Sequence, residues 1–291
     1  MNKRMIELTP YKVSEPGPSS FMASSEEVGP GFVLGASAYN IADDNRTVLQ
    51  FMPWSEHISR PDAVRRHQVM AETLDATYVT VDNPGVGFLS TNLSRDQRAD
   101  LRHGQLESLA TSQYEAARRT GIDMGKISLV GYSLGGVMAS AMANVLPQDT
   151  EIDKIVLIEP AGVNKSSIAS LGANFMLDGL RDRQYRAENP AWFSQLPQTA
   201  PPQRAVLYDY IRLMNRGKAY DNLADISNNR GAQMTIVTGE KSRIIPPVVA
   251  EQLADYLNAD WLMLKGENHS MLNSLGRVAA LFDLLHSEDR L

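Results

Sequence analysis

The sequence predicts an α/β fold with a mostly parallel central sheet and helices on both faces. Short apolar runs typical of buried strands alternate along the chain with segments of helical periodicity. One such unit, residues 126–143, passes from a strand through a glycine-rich turn into a helix of small residues. The length of 291 residues and a hydrophobic fraction of 43% suit one large domain with a sizeable core.

The charge, the cysteine content and the apolar runs of the chain exclude several classes of protein. The net charge of −6 and the pI of about 5.4 argue against nucleic acid and anionic membrane surfaces as partners. The chain has no cysteine, which excludes disulfides, thiolate catalysis and cysteine-based metal sites. We see no apolar signal-peptide region near the start and no run long enough to span a membrane, so we expect a cytoplasmic protein. The oligomeric state stays open.

Three regions are expected. Residues 1–31 are rich in Ser, Pro, Gly and Glu and read as an N-terminal arm, with a loose first strand as the alternative. Residues 32–162 and 231–291 form the predicted core. Its strands are expected over 32–41, 46–52, 76–81, 127–130, 152–158, 233–238 and 260–264. Residues 163–230 lack a strand pattern, contain amphipathic helical stretches, and are predicted to be a helical cap inserted between two core strands.

Helices are predicted between the core strands. Residues 93–121 are expected to form one long helix, capped by Ser94 with Gln97 in the capping-box position and ended by Gly121. In the predicted cap, Phe175 and Trp192 are candidates for a substrate pocket, together with Tyr132 in the core. The alternative for the cap aromatics is that they only pack the cap onto itself.

The turn in residues 126–143 reads Gly131-Tyr132-Ser133-Leu134-Gly135-Gly136. A serine on so tight a turn needs almost side-chain-free neighbours two positions away, and glycine meets that need. The N–H of Leu134, at the start of the helix, is placed to donate to a developing oxyanion.

These features resemble the α/β-hydrolase family, whose order of elements is similar to this chain from Thr47 to the end. The resemblance implies that Ser133 is the nucleophile and His269 the base, because His269 lies in a Gly-Glu-Asn-His-Ser loop after the last strand. The family's His-Gly pair after the strand at 46–52 is absent. Met52 or Trp54 is expected to give the second oxyanion N–H, since Pro53 has none.

The acid of the triad departs from the family pattern. The resemblance places an aspartate after the strand at 233–238, where this chain has Ser242. We favour Glu159, at the end of the preceding core strand, because the carboxyl ends of parallel strands share one rim. Glu240 or Glu267 is the second possibility. The third is that the acid is absent, which leaves a weak dyad or an inactive protein.

The favoured function is a cofactor-independent serine hydrolase that acts on an ester-like carbonyl of a small-molecule acyl substrate, namely a carboxylic ester, lactone or thioester, through an acyl-enzyme. One alternative is a catalytically impaired protein of the same fold that binds a ligand or partner. Another is an acyltransferase with the same triad. No metal-ligand spacing and no nucleotide fingerprint stand out in the sequence, so we expect no cofactor and no metal.

Overall fold

In the part of the chain that the structure describes, nine strands form one sheet in the order β1-β9-β8-β7-β6-β4-β5-β3-β2. The computed structural model describes residues 2–11, 13, 21–41, 46–54, 56–87, 89–165, 167–188, 201–217, 219–221 and 223–291. The strands are β1 Lys3–Ile6, β2 Phe21–Gly29, β3 Phe32–Tyr39, β4 Thr47–Phe51, β5 Thr77–Val81, β6 Lys126–Tyr132, β7 Glu151–Ile158, β8 Gln233–Gly239 and β9 Asp260–Leu264. The sheet is parallel from β1 to β5, and β3 and β2 complete it as an antiparallel edge.

Helices cover both faces of the sheet, as the sequence predicts. They are α1 Pro61–Leu74, α2 Arg95–His103, α3 Glu107–Arg119, α4 Leu134–Val145, α5 Ile168–Glu188, α6 Pro201–Met214, α7 Leu223–Arg230, α8 Pro247–Leu257 and α9 Leu275–Ser287, with a short 3-10 turn at Met271–Asn273. One hydrophobic cluster joins α3, α4 and α8 to the sheet. A second cluster joins α1 and α9 to the opposite face. In the described part of the chain, no helix has the length and apolar character needed to cross a membrane.

The strand order places the loops that follow β4, β6 and β7 side by side. Strand β4 pairs with β5 on one side and β6 on the other, so the direction of winding reverses there. In such sheets ligands bind outside the carboxyl ends of the strands at that reversal. The registers pair Phe51 with Gly131 and Tyr132 with Ile158, which brings the ends of β4, β6 and β7 to one rim.

The segment expected to be an arm, residues 1–31, contributes two strands to the sheet. Strand β1 pairs in parallel with β9, and β2 pairs antiparallel with β3. The edge strand β2 begins with Phe21 and Met22 but continues with small and polar residues from Ala23 to Glu27, before a bulge between Glu27 and Gly29. The sequence pattern did not decide between an arm and a loose first strand, and the described residues 3–6 and 21–29 form strands, which is the alternative that the sequence left open.

The helix expected over residues 93–121 is two helices. Ser94 caps α2, and the reciprocal bond with Gln97 is present, which confirms the predicted capping box. The helix then ends at Gly104, whose φ of 76° is left-handed, and α3 begins three residues later. Between β7 and β8, the described residues of the predicted cap form α5, α6 and α7.

Candidate active site

Ser133 lies on a sharp turn between β6 and α4. Its φ of 54° and ψ of −117° are strained for a residue with a side chain. A Cβ atom on Gly131 would lie 2.5 Å from the Cα of Gly136, and one on Gly135 would lie 1.9 Å from the carbonyl oxygen of Phe51. The two glycines are thus required by close backbone approach. Leu134 is fully buried and begins α4, directly after the serine.

His269 reaches Ser133 from the loop after β9. Its Nε2 is 3.0 Å from the Oγ of Ser133, although the two residues are 136 positions apart in sequence. The hydroxyl of Tyr132 donates to the backbone carbonyl of His269 at 2.6 Å, which holds this loop against the turn. Tyr132 is buried and its ring packs against the imidazole, so its observed contacts fix the histidine.

Glu159 completes the chain of contacts. Its Oε2 is 3.0 Å from the Nδ1 of His269. The carboxylate is fully buried and has two further donors: the N–H of Gly239 to Oε1 and the hydroxyl of Ser242 to Oε2, each at 2.5 Å. A buried carboxylate needs such partners, because without them the cost of removing its charge from water is large.

The strand order explains why a glutamate fits here. Ser133 follows β6, Glu159 follows β7 and His269 follows β9, so the end of β8 lies between the acid and the histidine. Glu159 adopts a left-handed φ of 49° and its long side chain crosses the end of β8, where Gly239 and Ser242 bind it. The small side chain of Ser242 leaves room for that carboxylate at the position where the resemblance puts an aspartate.

The other two acid candidates are engaged elsewhere. Glu267 is buried, accepts the hydroxyl of Tyr185 at 2.9 Å and forms an ion pair with Arg277. Glu240 is exposed and accepts the N–H of Gly266 at 2.8 Å. Within the described ranges, no group of three or more His, Cys, Asp and Glu side chains is arranged to hold a metal ion.

The loop after β4 is fixed by a residue that sequence reasoning missed. The Nδ2 of Asn83, fully buried, donates to the carbonyl oxygens of Met52 at 3.0 Å and Pro53 at 3.3 Å. Asn83 belongs to an Asp-Asn-Pro-Gly turn that is visible in the sequence. Its role was hidden because the partners are backbone atoms about 30 positions away.

The preceding residue, Asp82, is also fully buried and belongs to the same turn as Asn83. Burial raises the pKa of Asp82 to about 7, although hydrogen bonds from the N–H of Ile58 and the hydroxyl of Ser90 oppose the rise. The carboxyl group therefore changes its charge near neutral pH inside the folded protein.

Aromatic side chains line the side of the site that faces the predicted cap. Phe175 of α5 is half-buried and meets the ring of His269 edge-on, with centroids 5.6 Å apart. Trp54 stacks on Phe175 at 5.9 Å, and its Nε1 donates to the carbonyl of Leu207 in α6 at 2.9 Å. The third pocket candidate besides Tyr132 and Phe175, Trp192, lies outside the described residues.

Comparison with known proteins agrees with this architecture. A profile of the alpha/beta hydrolase family matches residues 53–281. The chain belongs to the alpha/beta hydrolase family. This alpha/beta hydrolase has no significant match among curated protein sequences.

Solved structures of other hydrolases share the fold at low sequence identity. An esterase from Exiguobacterium antarcticum is 16% identical with a TM-score of 0.58, and the match covers 93% of this chain and 100% of that one. A thioesterase domain from the curacin biosynthetic pathway is 15% identical with a TM-score of 0.59, over 90% and 99% of the two chains. A putative hydrolase from Agrobacterium vitis S4 is 18% identical with a TM-score of 0.57, over 93% and 99%.

Proposed function

We propose that this alpha/beta hydrolase is a serine hydrolase that cleaves a carboxylic ester, lactone or thioester through an acyl-enzyme. The observation that carries the proposal is the continuous chain of contacts from Glu159 through His269 to Ser133, with both distances at 3.0 Å. A serine hydroxyl needs a base within hydrogen-bond reach, and that base needs an orienting acid. The names of similar structures, an esterase and a thioesterase domain, support the same substrate classes.

The residues then act in two steps. In the first, the Oγ of Ser133 attacks the carbonyl carbon while the Nε2 of His269 accepts its proton. The bond to the leaving alcohol or thiol breaks, and His269 returns the proton to that group. In the second, His269 takes a proton from water, the hydroxide attacks the acyl-enzyme, and the acid is released as Ser133 regains its proton. Glu159 stabilises the imidazolium formed in each step.

Leu134 and Trp54 are proposed to hold the oxyanion, and Met52 is not. A peptide C=O and the N–H of the same group point in opposite directions. The carbonyl of Phe51 abuts Gly135, so the N–H of Met52 points away from α4. The carbonyl of Pro53 faces Asn83, so the N–H of Trp54 points away from Asn83. Together with the first N–H of α4, it forms the favoured pair of donors.

The helical segment 163–230 is proposed to act as a cap over this site. Phe175 packs against His269, and the Trp54 side chain bonds to α6, so two of its helices contact the catalytic loops. The apolar surface near the histidine favours an apolar acyl or alcohol group there.

Pre-steady-state hydrolysis of 4-nitrophenyl hexanoate tests the proposal. An acyl-enzyme mechanism releases a burst of nitrophenolate that is proportional to the enzyme concentration when deacylation is slower than acylation. We expect Ser133→Ala to abolish turnover, whereas Ser270→Ala, a matched change beside the histidine, retains it. Equal turnover in Ser133→Ala and the wild type would refute the assignment of the nucleophile. A folded wild type without activity on any ester, lactone or thioester would favour a ligand-binding protein.

A further inference from the structure

A cleft with an internal volume of about 180 Å³ lies beside the proposed triad. Its walls are the loop after β7, the loop after β8, α5 and the end of α6. Both loops are bonded to the triad region. The N–H of Ala161, in one wall, donates to the carbonyl of Ser133 at 3.1 Å. The N–H of Ile245, in the other, donates to the hydroxyl of Ser242 at 3.2 Å.

The lining of this cleft combines an apolar surface with cations. Leu171, Met214 and Ile245 supply apolar side chains, and the charged residues of the described lining are Lys165 and Arg243. No aspartate or glutamate occurs among those lining residues. Since the whole chain carries a net charge of −6, a cleft with only cationic charge is a local exception.

Neither cation is neutralised by a partner in the described part of the chain. No ion pair there involves the side chain of Lys165 or Arg243. The buried Asp178 contacts the same loop, but its Oδ2 accepts the backbone N–H of Arg243 at 3.4 Å. The side-chain amide of Asn174 donates to the carbonyl of Arg243 at 3.1 Å, which fixes the loop to α5.

We propose that Lys165 and Arg243 bind an anionic group of the substrate, so that the proposed hydrolase prefers esters or thioesters that carry a carboxylate or a phosphate. This inference rests on the proposed function and specifies its substrate. Guanidinium and ammonium groups donate charge-assisted hydrogen bonds to both kinds of anion. The apolar side chains of the same lining, Leu171, Met214 and Ile245, suit the chain that links the anion to the reacting carbonyl.

Two matched substrate pairs test the preference and separate the two anions. Mono-4-nitrophenyl adipate is compared with 4-nitrophenyl hexanoate, which lacks the carboxylate. S-Hexanoyl-4′-phosphopantetheine is compared with S-hexanoylpantetheine, which lacks the phosphate. We expect kcat/KM to favour the anionic member of at least one pair about tenfold, since a hydrogen bond to a charged group is worth that much. Raising NaCl from about 0.02 M to about 0.3 M lowers this ratio because salt screens exposed charges.

Substitutions connect the preference to this cleft. The double variant Lys165→Met/Arg243→Met is expected to reduce the ratio of anionic to neutral kcat/KM to about one. Lys241→Met removes one positive charge from the loop that carries Arg243, at a residue outside the described cleft lining, and is expected to leave the ratio unchanged. Ratios near one in the wild type, or a ratio that survives the double variant, overturn the inference while hydrolysis of the neutral members upholds the proposed function. Hydrolysis of none of the four substrates overturns both.

Discussion

The hydroxyl of Ser242 lies 2.5 Å from the Oε2 of Glu159. The same carboxylate oxygen lies 3.0 Å from the Nδ1 of His269. Ser242 stands where the family resemblance leads one to expect an aspartate, so Glu159, the proposed acid, is in direct contact with the residue at the usual acid position. The N–H of Ile245 donates to the Ser242 oxygen, which leaves the serine proton free to point at the glutamate. We infer that the acid has moved to the neighbouring strand and that Ser242 supports it there.

Replacement of Glu159 by glutamine is expected to lower kcat about 10³- to 10⁴-fold, as the loss of the carboxylate does in other serine triads. The amide has similar size but carries no charge to stabilise the imidazolium. Steady-state kinetics with 4-nitrophenyl hexanoate measure the effect, and circular dichroism checks the fold. Glu240→Gln, an exposed glutamate in the same region, is the matched control. A larger loss in Glu240→Gln or Glu267→Gln than in Glu159→Gln contradicts the assignment of the acid.

Replacement of Ser242 by alanine is expected to lower kcat about tenfold, because it removes one hydrogen bond to the buried carboxylate. Ser242→Thr keeps the hydroxyl and is expected to retain most of the activity. The comparison separates loss of the donor from a change in packing. Equal kcat values for Ser242→Ala and the wild type show that the contact has no part in positioning Glu159.

The contact between Ser242 and Glu159 also predicts that a carboxylate introduced at position 242 can take over the role of Glu159. In the double variant Glu159→Asn/Ser242→Asp, the shorter residue vacates the space and an aspartate enters it. Asparagine suits position 159 because it tolerates the left-handed φ of 49°. We expect kcat at least about tenfold above that of Glu159→Asn alone, since a carboxylate again faces His269. No gain over the single variant indicates that a carboxylate at 242 does not reach the histidine.

Asn83 is expected to act on the oxyanion site through the backbone. Asn83→Asp replaces the donor to the carbonyls of Met52 and Pro53 by an acceptor of the same shape. The loop then loses its fixed orientation, and we expect kcat to fall about 10- to 100-fold, part of the value of an oxyanion donor. The rate of inactivation by a fluorophosphonate and the rate of ester hydrolysis are both measured for the variant. A fall in both rates by the same factor assigns the defect to the oxyanion site. Wild-type kcat in a folded Asn83→Asp variant rules out this role.

Asp82 predicts a specific dependence of stability on pH. Its pKa is raised, chiefly by burial, from an ordinary 3.8 to about 7. Between these values the folded chain holds a proton that the unfolded chain has lost, so the group stabilises the fold at low pH and this contribution disappears as pH rises towards 7. Urea unfolding from about pH 4 to pH 8 should therefore show the free energy of unfolding of the wild type falling relative to that of Asp82→Asn. Parallel curves contradict the buried, protonated state.

Much of the core could be predicted from the sequence because its strands are buried on both faces. The strand at residues 260–264 was predicted with its observed bounds, and that at 152–158 within one residue. The strands of residues 1–31 could be given only as an alternative to an arm, because β1 has only four residues, three of them exposed, and Lys3 pairs with Trp261 about 258 positions away. Gly104 did offer a signal for the break between α2 and α3, since glycine commonly ends helices.

The active-site residues also differ in whether a local sequence pattern predicts them. Ser133 and His269 lie in local patterns that the sequence displays, and the structure brings them together. Glu159 was one of three possibilities because the choice depends on which strand lies between β7 and β9, a property of the sheet order alone. The contributions of Ser242 and Asn83 arise from contacts between distant loops, so no local pattern reveals them.

Labelling with a fluorophosphonate, mapped by mass spectrometry, shows whether Ser133 is a nucleophile activated by His269. The probe reacts with a serine that is activated as a nucleophile. We expect one modified residue, Ser133, in the wild type, no label in Ser133→Ala, and a rate of labelling reduced about 10³-fold or more in His269→Ala. Label at another serine, or labelling of Ser133 at the wild-type rate in His269→Ala, would contradict the proposed triad.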